Sequence, residues 1–386
     1  MTLFAEFHVI QNFAPANLNR DDTGAPKDAV FGGVRRARIS SQCFKRAVRL
    51  HAASRAPAPE QDCGVRTKKL KALLAARLTV LGRDSADIQI ATTLEAAGLQ
   101  LDEQGHTQYL VFLGGGEVDA LAGLIHDHWD ALTPSDAATD TGKAKRSKKE
   151  AKAEAPDAVR KAATKLLDGG KAVDVALFGR MLADLPEANR EAACQVAHAI
   201  STHRVDREFD YFTAVDDMGD EDETGAGMIG TVEFNSATFY RYATLNVDQL
   251  LRNLGNDRPL ALRAVAAFGE AFARSVPTGK QNSFAAHNAP SFVGCTIRHA
   301  SPFNLANAFE RPVQPGRDLG LTDASVQALA GFARRTGNRW GDKRDLWSVL
   351  DDSGHWPADF GTAHDDLPAL IDWVVTQVDQ RLPAGS

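Results

Sequence analysis

The opening residues most constrain what this chain can fold into. Leu3, Ala5, Phe7 and Val9 fall on one side of an extended backbone and Phe4, Glu6, His8 and Ile10 on the other, a period of two that predicts a β-strand. A strand placed first needs partners from later in the chain. The next segment, Gln11 to Ile39, is rich in Asn, Asp, Gly, Pro and Arg. It reads as one long polar loop, and loops of that length inside a domain are usually functional or disordered. Ser40 and Ser41 then offer an N-cap for a helix to about Ala53, with Phe44, Ala47, Val48 and His51 along one side and a stop at Pro57 to Pro59.

Between about residues 60 and 180 the composition turns to Ala, Leu, Lys and Asp, with helical spacing at Leu70, Leu73, Leu74, Arg77 and Leu78. That stretch reads as a mostly helical insertion with a short strand at Tyr109 to Leu113. Thr133 to Ala155 is of low complexity, and its run KAKRSKKEAK has no apolar side chain larger than Ala, so a mobile basic loop is expected. A helix is expected near Glu187 to Ile200. Strand arms at Phe209 to Val215 and Met228 to Ala243 flank an acidic, Gly-rich tip, Asp216 to Gly227. A helix over Leu260 to Arg274, a strand over Ser291 to Arg298 and two helical segments after Thr322, with Trp340, Trp347, Trp356 and Trp373, complete the chain. Without the insertions the order is strand, helix, strand, strand, helix, strand. This is an α+β chain in the ferredoxin-like order shared by RNA-recognition folds.

A net charge of -6 argues, as an average, against a nucleic-acid partner. Its distribution argues otherwise. Residues 1–83 carry 15 Lys and Arg against 6 acids, a balance of +9, whereas the remainder carries 29 against 44, a balance of -15. The four cysteines, Cys43, Cys63, Cys194 and Cys295, match neither a zinc ribbon nor a CxxC pair and read as free thiols. No apolar run approaches the ~18 residues of a membrane span, and Glu6 and His8 interrupt what a signal peptide would keep apolar. A cytoplasmic protein without membrane contact is expected.

Recognised catalytic and cofactor motifs are missing from the sequence. Gly114-Gly115-Gly116 lacks the GK[ST] ending of a phosphate loop and reads as a strand-to-helix turn. The pairs His126/His128 and His198/His203 lack a convincing third ligand, and a loop that begins like a calcium site at Asp220 has Thr231 at its twelfth position. Neither a metal nor a cofactor is expected. The distinctive region lies between Arg20 and Arg49, where eight cations, Arg20, Lys27, Arg35, Arg36, Arg38, Lys45, Arg46 and Arg49, face three acids, Asp21, Asp22 and Asp28. On a helix Gln42, Lys45 and Arg49 share a face, an arrangement suited to successive phosphates and equally compatible with a solvated charged face. Ser40, at the helix start, adds a hydroxyl and free N–H groups at a positive helix end.

Several blocks resemble one known family: the loop Asn17 to Asp22 (NLNRDD), KDAVFGGVRRARISSQCFKRAVR from Lys27 to Arg49, DVALFGRM at Asp174 to Met181, DYFTAVDD at Asp210 to Asp217, IGTVEFNSATFYRY at Ile229 to Tyr242 and NLANAFE at Asn304 to Glu310. In this order they resemble the CasC family, the repeating backbone subunit of the type I-E CRISPR complex Cascade. The resemblance is weakest in the helical insertion and the C-terminal tail.

The resemblance implies a hand-like protein that polymerises head to tail along crRNA beside CasA, CasB, CasD and CasE, presents the guide to target DNA and leaves DNA destruction to a recruited helicase-nuclease. It implies a palm at 1–56, 181–205 and 233–386, the last with C-terminal helices, a finger at 57–180 with its basic loop at 133–155, and a thumb hairpin at 206–232. Arg20, Lys27, Ser40, Gln42, Lys45, Arg46 and Arg49 would grip the guide backbone. Met181 and Phe212 would wedge beside a displaced base, with Tyr211, Val215 and Ile229 lining the same place. Lys143, Lys145, Arg146, Lys148, Lys149 and Lys152 would form a patch for DNA. Related subunits that cut RNA with a loop Asp leave a metal-assisted nuclease built on Asp21, Asp22 or Asp28 as the alternative.

Overall fold

The first strand, β1 (Leu3–Ala16), outruns its alternating stretch and is almost wholly buried. Most of what read as one polar loop is therefore ordered. Its second half is a hairpin, β2 (Asp28–Phe31) and β3 (Val34–Ile39). The turn is Gly32-Gly33, with φ of 61° and 76°, the positive pair that a two-residue hairpin turn requires. A Cβ at Gly32 would also overlap the Glu310 carbonyl oxygen. Then follows α1 (Ser41–Arg55), which buries Phe44, Ala47 and Val48. The computed structural model describes residues 2–55, 63–133, 155–167, 171–182, 185–214, 228–299 and 301–383. By contacts the chain divides into two units, one of residues 1–56, 194–248 and 262–386, the other of 57–193 with 249–261.

The second unit holds β4 (Gly64–Thr67), α2 (Leu70–Val80), α3 (Asp87–Ala96), β5 (Val111–Gly114), α4 (Gly115–Asp127), α5 (Asp157–Leu166) and α6 (Val173–Phe178). The leucine spacing is realised: Leu70, Leu74 and Leu78 are buried among Ile90, Leu94, Leu121, Ile125 and Val159. Strands β4 and β5 pair antiparallel. One buried ion pair ties the unit together, Arg180 Nη1 to Glu117 Oε1 at 3.0 Å. Arg180 also donates to the carbonyls of Phe112, Leu167 and Ala188. Residues 181–193 and 249–261 group with this unit, beyond the boundary at 180 drawn from the sequence.

Where a helix was expected over Glu187 to Ile200, the chain forms two short strands, β6 (Cys194–Val196) and β7 (Ala199–Ser201). Both pair with a later strand, Cys194 opposite Leu245 and Ile200 opposite Tyr240. Long-range pairing overrides the helical preference of this Ala-rich stretch. The following hairpin is β8 (Glu208–Ala214) and β9 (Met228–Asn246), and β9 runs 19 residues without a break. Next come α7 (Val247–Asn253), α8 (Arg258–Arg274), the one-turn α9 (Gln281–Phe284), β10 (Phe292–His299) and α10 (Leu321–Trp340). The C-terminal part is not two helices alone. β11 (Leu346–Asp351) and β12 (Thr362–Ala363) precede α11 (Leu367–Arg381). β11 carries Trp347 and pairs with β10.

The result is a mixed α+β fold around one large sheet, in the order β12-β11-β10-β1-β9-β7-β3-β2, with β6 and β8 also on β9. Both faces are covered. Phe7 packs on Phe268 and Phe272 of α8, while Phe13, Phe44 and Phe239 share a cluster under α1. On the other side Ile10, Tyr240, Tyr242, Phe292 and Trp356 pack with Val326 and Leu329 of α10. Two-sided burial explains how Glu6 and His8 can be fully buried: Glu6 accepts from Arg298 at 2.5 Å and from the Phe303 N–H at 2.7 Å, and His8 Nδ1 meets the Tyr240 hydroxyl at 2.9 Å. Burial holds the His8 imidazole well below its ordinary pKa. No helix among the described residues is long and apolar enough to cross a membrane.

Candidate nucleic-acid interface

The loop at 17–27 is a rigid mount. Asn17 Nδ2 donates to the Gly24 and Glu233 carbonyls, both at 2.9 Å, and the Lys27 N–H donates to the Asn19 carbonyl. Asp21 Oδ1 accepts from the Thr23 hydroxyl at 2.7 Å and from the Thr23 and Ala25 N–H groups at 3.0 Å. Those bonds, the Thr23 hydroxyl foremost, hold its carboxyl below the usual range. Gly279 packs so closely on this loop that a Cβ would lie 2.3 Å from the Leu18 carbonyl oxygen. Asn19 Oδ1 accepts from the Ser40 N–H at 2.8 Å, joining the loop to the start of α1.

The loop and α1 enclose an open cleft of about 340 Å³, lined by Arg20, Cys43, Arg46 and Thr278 among others. Arg20, Gln42 and Arg46 are exposed, and Lys27, Ser40, Lys45 and Arg49 are half-buried. The side chains of Arg20, Lys27, Gln42, Lys45 and Arg46 make no hydrogen bond or ion pair with another described residue. Their neighbours are spent on the protein. Arg35 and Arg207 both pair with Asp28, at 3.4 and 3.0 Å, and Arg207 also with Glu233 at 3.1 Å. Arg38 donates to the Asp28 carbonyl. Arg36, read from sequence as one of the basic track, is fully buried and donates to the carbonyls of Phe31, Ser201, Phe309 and Glu310. It is a structural clamp.

At the start of α1 the free N–H groups expected from the sequence are largely taken. Ser40 Oγ accepts from the Cys43 N–H and His198 Nδ1 from the Ser41 N–H, each at 3.3 Å. The Ser40 hydroxyl keeps its own hydrogen to donate. Beneath α1 lies a residue that sequence reasoning missed. Arg241, fully buried, stacks on Phe44 of α1 and Phe272 of α8, its guanidinium carbon 4.3 and 4.8 Å from the ring centroids. It donates to Gln11 Oε1 at 2.5 Å and to the Phe272 carbonyl. Burial without a carboxylate lowers its pKa to about 9. Its place on β9, one residue from Tyr240 and Tyr242, was the only available signal.

The hairpin of β8 and β9 exposes Phe209, Tyr211 and Phe212, at 61%, 74% and 40%. Phe212 lies opposite Gly230, where a Cβ would fall 2.2 Å from the ring's Cζ atom. The glycine is what lets this ring lie across the strand. Val215 and the side chain of Ile229 fall outside the described residues, as do the acidic tip and the basic patch Lys143, Lys145, Arg146, Lys148, Lys149 and Lys152. Met181 belongs to the second unit and is 82% exposed.

Two of the remaining motif residues, Gly114 and His203, take up structural roles. Gly114 caps α4, its N–H donating to Glu117 Oε2 at 2.7 Å, so an acid occupies the place a phosphate would need. His203 donates from Nδ1 to the Arg204 carbonyl and accepts at Nε2 from the Thr238 N–H. Among the described residues no group of three or more His, Cys, Asp or Glu is arranged to hold a metal.

The family profile of the CT1975-like proteins matches residues 5–373. Among solved structures, one described as a CRISPR RNA-guided surveillance complex, pre-nicking, is similar at a TM-score of 0.85 and 35% identity, covering 97% of this chain and 99% of the other. A second, described as a CRISPR RNA-guided surveillance complex, is similar at 0.71 and 30% identity, with 97% and 99% covered. No curated protein matches the sequence. With the profile spanning nearly the whole chain and the fold shared end to end, the protein belongs to the CT1975-like family.

Proposed function

We propose that this chain is the crRNA-binding backbone subunit of a type I-E CRISPR surveillance complex, with no catalysis of its own. One observation carries the reading. Of the cations between Arg20 and Arg49, those the protein does not use, Arg20, Lys27, Lys45 and Arg46, lie with Gln42 along one loop and one helix. Such groups bind phosphate and sugar without asking which base is present, as a guide carrier requires. The similar solved structures are RNA-guided surveillance complexes, which supports the same role here. The sheet order β10-β1-β9-β7, with α1 and α8 in the crossovers, supports an RNA-recognition-type palm. The exposed rings on the β8–β9 hairpin suit a thumb that wedges displaced bases. Copies would line up head to tail on crRNA beside CasA, CasB, CasD and CasE, with the basic run Lys143 to Lys152 meeting target DNA and a helicase-nuclease acting downstream, in the cytoplasm.

The nuclease alternative is weaker because two of its three carboxylates are engaged, leaving Asp22 exposed and, among the described residues, alone. Asp21 is held by Thr23 and Ala25, and Asp28 by Arg35 and Arg207. The test is the double substitution Lys45→Ala with Arg49→Ala in protein co-expressed with a repeat-containing RNA and its partner subunits. RNA is expected to be lost from the purified protein while its melting temperature stays within a few degrees. Unchanged RNA content would overturn the assignment.

A further inference from the structure

We propose that His198 is a further RNA contact on this surface, an uncharged hydrogen-bond donor that presents Nε2–H to an acceptor oxygen of the strand at the start of α1. The inference rests on the reading of the α1 surface as an RNA track and adds a member of a different chemical kind.

The geometry assigns the proton. His198 Nδ1 lies 3.3 Å from the Ser41 backbone nitrogen and 3.3 Å from Arg38 Nη1. A backbone N–H and a guanidinium can only donate, so Nδ1 must be bare and the neutral ring carries its hydrogen on Nε2. The ring is exposed, and Nε2 has no hydrogen bond to a described residue. Partial burial, then Arg38 and Lys27, all disfavour the cationic form. The mount is rigid, since His198 directly precedes β7, where Ala199 and Ile200 pair with Ile39 and Arg38 of β3. One ring thus satisfies an N–H of the helix's first turn through Nδ1 and leaves Nε2–H, on an exposed side chain, without a partner among the described residues. Point charges such as Lys45 attract a strand from any direction. A held N–H adds a direction, and with it register along the backbone.

A purely structural role, capping α1, predicts different variants to survive. Asn at 198 places its amide oxygen near Nδ1 and keeps the cap but lacks the reach of Nε2; Gln places an amide N–H near Nε2 and gives up the cap. Binding of a fluorescein-labelled single-stranded RNA to the full chain is measured over a salt series for His198→Ala, His198→Asn and His198→Gln, with Lys45→Ala/Arg49→Ala as reference. Expected is roughly tenfold weaker binding for Ala and Asn, near recovery for Gln, and an unchanged slope of log K against log salt, because no charge is removed. The reference variant should lose affinity and lower the slope by about 0.7 per phosphate contact. Single-stranded DNA of the same sequence separates the acceptors: a phosphate contact weakens with both polymers, a 2′-hydroxyl contact with RNA alone. Wild-type affinity in the Ala and Asn variants, or weak binding confined to Gln, overturns the proposal. If the reference variant also binds like wild type, it is the reading of the surface as an RNA track that fails.

Discussion

Arg36 and Lys45 lie nine positions apart in a run that looks uniformly basic, and they do opposite things. Arg36 has no exposed surface and saturates the carbonyls of Ser201, Phe309 and Glu310, whereas Lys45 makes no hydrogen bond or ion pair among the described residues. Charge composition cannot separate them, because the acceptors that claim Arg36 come from distant parts of the chain. Arg36→Met removes the donors and leaves buried carbonyls unmatched, at about 1–3 kcal/mol each. The melting temperature in differential scanning calorimetry is therefore expected to fall by ten degrees or more, while Lys45→Ala leaves it nearly unchanged. A stable Arg36→Met variant would contradict the clamp. The same division explains the loop carboxylates. Asp28, one of three acids set among eight cations, sits between Arg35 and Arg207, and Arg207 is far from it in sequence.

At the scale of elements, what depended on local periodicity was legible. The strand at Leu3, the helix at Ser41, the leucine spacing of α2 and the two arms of the β8–β9 hairpin all carry their own pattern. What depended on a distant partner was not. β6 and β7 exist because β9 offers them an edge, and β11 because β10 does. The hairpin of β2 and β3 is an intermediate case: Gly32-Gly33 signals it, but flanking Arg and Asp residues hid the alternation. The candidate site divides in the same way. Its cations and its capping Ser40 were readable, while Arg241, His198 and Gly230 matter only through what the fold brings to them. Gly230 gives a test. Gly230→Val would force the Phe212 ring off the strand, so a guide carrying 2-aminopurine at a displaced position is expected to lose fluorescence, with melting temperature held within a few degrees because the hairpin arm is exposed. Unchanged fluorescence would remove Phe212 from the wedging role.

Across the whole molecule, the acidic average conceals a working distribution. The excess of +9 in the first 83 residues includes both the cations that hold the fold and those left at the surface of the loop and α1. The remaining -15 falls on residues 84–386, so the segment that carries the loop and α1 differs in sign from the rest of the sequence. A repeating backbone subunit needs that contrast, since an RNA strand must be drawn to one track and not to the protein at large. The most direct measurement is co-expression of the chain with a repeat-containing RNA and its partner subunits, followed by light scattering for mass and the ratio of absorbance at ~260 and ~280 nm for bound nucleic acid, on the expectation that phosphate contacts dominate affinity. A multi-copy particle rich in RNA is the expected result; a monomer free of RNA would contradict the proposed role.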